Sequence, residues 1–328
     1  MAPPMPSLTL PGSGRLTSRL GFGCGSLMRI PSQRDRDVVL QAAYEAGIRH
    51  FDVARMYGLG QAEAELGRFL GRSRGDVTVG TKLGIEVGSA GSLSGAQSLL
   101  RRVIALHPAI RALARKVAGG ATARKKDFGV AAARASVAQS LAELAVDRVD
   151  LLFLHEPELS DLTDPLLLDF LEERKASGVC GAFGVSGETE DVLRIAERHP
   201  SLGQAVQVRH DAFAPSLGPI TVMRPAFLGI FGVLHRALPA TRRFLSSHPD
   251  IAAEWSRTLD ADLGAPEGLS SVLLACGAAE TSGGMVLFST TRPSRIASTA
   301  RGFSALLGKN EALLAFARLL RERLPPPG

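Results

Sequence analysis

The chain has 328 residues, 45% hydrophobic and 21% charged, which supplies a large core and excludes a disordered or low-complexity protein. Its net charge of +6 concentrates in Arg101, Arg102, Arg111, Arg115, Lys116, Arg124, Lys125 and Lys126, so the surplus marks one segment rather than a general nucleic-acid surface. No run approaches the roughly 18 apolar residues of a membrane span, and the first residues lack the basic start and apolar core of a signal peptide, so a cytoplasmic protein is expected.

In chain order, Leu8-Thr9-Leu10 and Leu16-Thr17 flank the turn cluster Pro11-Gly12-Ser13-Gly14 and predict a short hairpin that plugs one end of a barrel. Leu20-Gly21-Phe22-Gly23-Cys24 predicts the first barrel strand. Ser32, with Asp35 three residues on, caps a helix whose buried stripe is read as Val38, Val39, Ala42, Ala43 and Ala46. The second strand ends in Asp52, a helix follows at 62–69, and Val77-Thr78-Val79-Gly80-Thr81-Lys82 is a third strand closing on a lysine.

An insert at 84–129 then interrupts the alternation. Leu99, Val103, Leu106, Ile110, Leu113 and Val117 recur at helical spacing, and Pro108 splits them into two helical pieces. This basic amphipathic segment reads either as a helical hairpin packed on the barrel or as a lid over its mouth, with a membrane-surface contact as the lesser variant.

A helix from Val130 leads into Val149-Asp150-Leu151-Leu152-Phe153-Leu154-His155, a fourth strand ending in histidine. A helix at 166–176, strand five at 179–185 ending before Ser186, and strand six at 205–208 containing Gln207 follow. The proline-rich stretch 211–219 is too short for a normal crossover helix, and strand seven is placed at 220–224. A helix at 270–280, strand eight at 285–289 and helices at 293–307 and 311–324 complete the reading. Alternating strands and helices imply parallel pairing and right-handed crossovers, hence one (β/α)8 barrel domain over residues 1–328 with an N-terminal hairpin and an insert after strand 3.

Asp52, Lys82 and His155 close three successive strands, and Tyr57 stands in the loop after the first. If those strands are neighbours, four polar groups meet at the rim where parallel α/β folds keep their chemistry. The chain resembles the aldo-keto reductase family through Phe51-Asp52-Val53-Ala54, Tyr57-Gly58, Gly60, Glu63, Leu66-Gly67, Thr81-Lys82, Asp150-Leu151-Leu152, His155-Glu156-Pro157 and Gly184-Val185-Ser186. The resemblance extends over nearly the whole length and implies the same barrel.

It also implies an NADPH-dependent enzyme, NAD being the lesser choice, that reduces an aldehyde, ketone or sugar-like carbonyl. Tyr57 would donate the proton, Lys82 would favour its phenolate, Asp52 would hold Lys82, and His155 would bond the substrate oxygen. For the cofactor it points to Ser186 and Gln207 on the nicotinamide carboxamide, Arg224 as a flat stacking group, and Ser289, Thr290, Arg292 and Arg295 on the phosphates, Arg295 gripping the 2′-phosphate. The sequence departs from the family pattern at Gly187, where asparagine is usual, at Ser289, where lysine is common, and at Ser298 and Thr299, where glutamate and asparagine are common.

Cys24, Cys180 and Cys276 are widely spaced in apolar settings, and no histidine has ligand spacing, so buried thiols and no metal are expected. The expected partner is a small carbonyl substrate rather than a nucleic acid; the oligomeric state is not legible. Two other classes stay open: a cofactor-binding regulatory or scaffold protein of the same fold with little turnover, and an anion-binding barrel without redox chemistry.

Overall fold

The computed structural model describes residues 4–73, 75–86, 125–214 and 217–324. Strands β1 (Ser7–Thr9) and β2 (Leu16–Ser18) form the expected antiparallel hairpin. Its tip passes so close to the sheet that a Cβ on Gly12, at φ +72°, would stand 1.8 Å from the Gly181 carbonyl oxygen. Leu10, fully buried, is the plug.

The body alternates β3 (Leu20–Gly23), α1 (Gln33–Glu45), β4 (His50–Asp52), α2 (Ala62–Ser73), β5 (Thr78–Leu83), α3 (Val130–Leu144), β6 (Val149–His155), α4 (Leu166–Ala176), β7 (Cys180–Gly187), α5 (Thr189–Arg198) and β8 (Ala205–Arg209). It continues with α6 (Gly218–Val222), β9 (Phe227–Phe231), α7 (Ala237–Ser247), α8 (Pro249–Leu259), α9 (Pro266–Glu280), β10 (Met285–Phe288), α10 (Pro293–Leu306) and α11 (Asn310–Arg323). Strands β3 to β10 close a parallel eight-stranded barrel in chain order. The Ser32 hydroxyl accepts from the Asp35 amide at 3.3 Å, as the cap predicts. Val38 is 48% exposed, however, and Leu40 takes its place on the buried face of α1.

Two apolar clusters follow from the period-2 alternation of the strands. Leu10, Leu151, Phe153, Ala182, Ala205, Phe227, Met285 and Leu287 fill the barrel interior, while Leu152, Leu154, Phe183, Val206, Val208, Ile230 and Val286 belong to the layer between barrel and helices. That parity decides where the polar strand-end residues go. His155 is two residues beyond inward Phe153, Ser186 is four beyond inward Ala182, and Gln207 is two beyond inward Ala205.

Strand seven corrects the sequence reading. Residues 218–222 form the short helix α6, with Pro219 in its first turn, and the strand is Phe227–Phe231. A brief apolar run does not by itself separate strand from helix turn, and proline in the first turn favours the latter. The crossover is reduced to that one turn, as expected. Helices α7 and α8 fall in a stretch where the sequence reading placed no element.

The insert falls largely on residues 87–124, outside the described residues. Its stem is described: Glu86 N donates to Lys125 O at 2.9 Å, and Asp127 N donates to Gly84 O at 2.8 Å. Phe128 packs where a side chain at Gly84 would be, 2.0 Å from the Cβ position. Among the described residues, no helix is long and apolar enough to cross a membrane.

Candidate active site

The floor of the site is a buried ion pair. Lys82 Nζ bonds Asp52 Oδ1, both side chains being at most 3% exposed. The ammonium also donates to Val53 O at 3.3 Å. Asp52 Oδ2 accepts from Gln207 Nε2 at 2.8 Å, and Gln207 Oε1 accepts from Ser186 Oγ at 2.7 Å. These contacts orient the amide, since only its nitrogen can serve the carboxylate. Register explains the convergence: His155 pairs with Ser186, and Ser186 with Gln207, across successive strands.

Tyr57 stands over this floor. Its ring lies edge-on to the His155 ring, centroids 5.8 Å apart at 82°, and Lys82 Nζ is 5.6 Å from the tyrosine centroid. Gly25 lies against the ring, where a Cβ would make an ordinary contact 3.6 Å from the Tyr57 Cζ. The loop beyond bends through positive φ at Gly58, Leu59 and Gly60, and Gly58 leaves no space for a side chain against Met28. From below, Glu63 holds the loop, accepting from Thr81 Oγ1 at 2.6 Å and from Arg55 NH1 at 2.8 Å.

Burial, then the charges of Asp52, Glu156 and Cys24, push the Tyr57 phenol well above the usual tyrosine range, and Arg209 opposes them. Sequence had suggested that Lys82 would favour the phenolate. The structure pairs Lys82 with Asp52, and desolvation is the largest cause of the upward shift of the Tyr57 phenol. Below the site, burial lowers the His50 imidazole to about 4, and its Nδ1 lies 2.9 Å from Thr78 Oγ1.

The phosphate-binding candidates gather after β10. Ser289 Oγ lies 2.6 Å from Ser26 Oγ, and Thr290 Oγ1 accepts from the Arg292 amide at 3.2 Å. Arg292 is exposed at the start of α10, and Arg295, in its first turn, lies 3.4 Å from Glu267 Oε1 on α9.

Arg224 does not join this group. It follows α6 at φ +49° and precedes β9, hence lies toward the entry end of that strand, while Asp52, His155 and Ser186 lie at exit ends. The misplaced strand seven carried it to the wrong rim. Phe231, which sequence reasoning missed, closes β9 on the inward row and lies under the Arg209 guanidinium at 4.9 Å. Its signal was the run Phe-Leu-Gly-Ile-Phe directly before Gly232.

Cys24, Cys180 and Cys276 are free and buried, and burial raises each thiol, Cys180 to about 11. Among the described residues no group of three or more His, Cys, Asp or Glu could hold a metal ion.

The profile of the Aldo/keto reductase family matches residues 19–223. A D-threo-aldose 1-dehydrogenase of a Pseudomonas species is 34% identical over 206 residues, 58% of this chain and 56% of that protein. A pyridoxal 4-dehydrogenase of Microbacterium luteolum is 37% identical over 75 residues, 22% of each chain. The alignments thus span about half and about one fifth of those curated relatives. Among solved structures, an aldo-keto reductase of Klebsiella pneumoniae in complex with NADPH superposes with a TM-score of 0.66 at 19% identity, covering 100% of this chain and 98% of that one. The glycerol dehydrogenase of Gluconobacter oxydans gives 0.69 at 18% identity, covering 98% and 97%. At such identities these structures speak for the fold.

Proposed function

The chain belongs to the aldo/keto reductase family, and on that premise we propose that it is an NADPH-dependent reductase of a small aldehyde, ketone or sugar-like carbonyl. The observation that carries this reading is the buried Lys82–Asp52 pair beneath Tyr57 and beside His155, with Gln207 fixed on the second Asp52 oxygen. A scaffold role gives no reason to hold two charges in the barrel, because such a pair is costly to desolvate.

A reduced nicotinamide bound here would supply hydride to a carbonyl carbon, and the negative charge left on the oxygen is what the residues of this chain would have to meet. Tyr57 gives its proton to that oxygen, and the His155 ring beside it orients the oxygen by a hydrogen bond. The phenolate left behind faces the Lys82 ammonium, which limits its cost; Asp52 keeps that ammonium in place. The Ser186 hydroxyl and the Gln207 amide fit the nicotinamide carboxamide, and Phe231 offers the aromatic face assigned above to Arg224. Ser289, Thr290, Arg292 and Arg295 fit the phosphates at the start of α10, where a helix N-terminus favours anions. The relatives named for an aldose and for pyridoxal support a small polar aldehyde or sugar-like substrate.

Tyr57→Phe tests the assignment. Carbonyl reduction should fall by roughly 10²–10⁴-fold, the usual worth of a general acid, while the NADPH dissociation constant from fluorescence titration stays within about twofold of the parent. A variant that reduces carbonyls at the parent rate would remove Tyr57 from the mechanism.

A further inference from the structure

Glu267 lies in the first turn of α9, where the helix dipole favours an ionised carboxylate. Arg295 lies in the first turn of α10, where the same effect disfavours a cation unless an anion accompanies it. The two helices are pressed together just behind these residues. A Cβ on Gly302 would stand 2.4 Å from Ser271 Oγ, which also donates to Thr299 O at 3.1 Å. This contact holds the two first turns side by side, and Arg295 Nε comes within 3.4 Å of Glu267 Oε1, each side chain being a little over one-third exposed.

Beside the pair, between α9, α10 and the preceding loop, is a cavity of about 280 Å³ lined by Asp260, Asp262, Glu267, Ser298 and Lys309. Three carboxylates and the Lys309 ammonium border this space, and one of the carboxylates, Glu267, pairs with Arg295, the guanidinium that the cofactor reading gives to a 2′-phosphate. Neither charge is spare: each is the other's counterion.

We infer that Glu267 determines how strongly this chain discriminates between NADP(H) and NAD(H), by competing with the 2′-phosphate for Arg295. This rests on the cofactor reading above and deepens it. With NADP(H), the phosphate must displace or crowd a resident carboxylate. With NAD(H), the carboxylate keeps Arg295 and can accept a hydrogen bond from the free 2′-hydroxyl. Preference for NADP(H) is thereby blunted, and the chain accepts both dinucleotides.

The test uses calorimetric titration of the full chain with 2′,5′-ADP and 5′-AMP, which probe the adenosine end alone, and then with NADPH and NADH. A single like charge close to a phosphate in a partly exposed site opposes binding by roughly a factor of ten. Glu267→Gln should accordingly tighten 2′,5′-ADP and NADPH about tenfold and change 5′-AMP and NADH less than about twofold. Raising salt from roughly 0.05 to 0.5 M should shrink the difference between the two proteins as the charges are screened. Arg295→Ala should abolish the preference for 2′,5′-ADP. If the parent binds both dinucleotides and Glu267→Gln leaves the ratio of 2′,5′-ADP to 5′-AMP affinity unchanged, this inference fails and the cofactor reading stands. If the parent binds neither dinucleotide nor either fragment, the cofactor reading itself fails.

Discussion

Lys82→Met removes the ammonium from the site floor while keeping a stem of similar length, and its cost can be worked from the contacts. In the parent, Asp52 Oδ1 is bonded by Lys82 and Oδ2 by Gln207 at 2.8 Å, with the amide locked by Ser186 at 2.7 Å. In the variant only the Gln207 contact remains. Breaking a buried pair by removing one partner costs about 3–5 kcal/mol. A stranded carboxylate can instead take up a proton, which from a reference pKa of about 3.9 costs about 4 kcal/mol at pH 7 and about 1.5 kcal/mol at pH 5. The remaining Gln207 bond offsets part of the loss, so about 3 kcal/mol is expected at pH 7 and about half of that at pH 5. Urea unfolding followed by circular dichroism gives the value from the shift in midpoint at unchanged slope. Fluorescence of Trp255, the only tryptophan, which packs on Phe316 at 5.1 Å, should report a coincident transition. Adding Asp52→Asn removes the stranded charge and should restore all but about 1 kcal/mol. The reasoning is refuted if Lys82→Met costs less than about 1 kcal/mol at pH 7, or if the double variant is no more stable than the single one.

Three further outcomes follow from the packing. His50 is fully buried with Nε2 unpartnered and its imidazole lowered to about 4, so the unfolded chain binds a proton that the folded chain refuses; stability should fall by about 3 kcal/mol as pH drops from about 6.5 to about 4. His50→Asn should remove most of that slope, and parallel pH–stability curves for the two proteins would contradict it. Gly67→Ala should destabilise by about 1–3 kcal/mol despite alanine's better helix propensity, because its Cβ would stand 2.4 Å from the backbone oxygen of Glu143; a gain in melting temperature would show that α2 and α3 can separate freely. No thiol should react with an aromatic disulfide reagent in the native protein, and all three should react in denaturant; rapid native labelling would show that Cys24, Cys180 or Cys276 is accessible.

By itself, the sequence determined the alternation of strands and helices and the places of seven of the eight barrel strands, strand seven being the exception. Val149–His155 is a continuous apolar run, buried along its whole length, so its sequence marks a strand that closes on a histidine without marking which row faces inward; Asp52, Lys82, Ser186 and Gln207 are likewise marked only as standing at or near strand ends. Convergence of the five follows once those strands close in chain order. The Ser32 cap and the hairpin tip were legible because their partners lie within a few residues.

What tertiary structure decided was everything whose partner is remote in the chain. Residues 218–222 and Phe227–Phe231 are both short apolar runs, and only pairing with β8 and β10 selects the second as strand seven, which moves the aromatic group at the rim from nowhere to Phe231 and removes Arg224. The Gln207–Asp52 bond joins positions 155 residues apart, the upward shift of the Tyr57 phenol comes first from its burial in the folded barrel, and Glu267 meets Arg295 where α9 and α10 touch at Gly302. Strand geometry fixes that alternate side chains face the same way; only the closed, packed barrel fixes which way that is and what they meet.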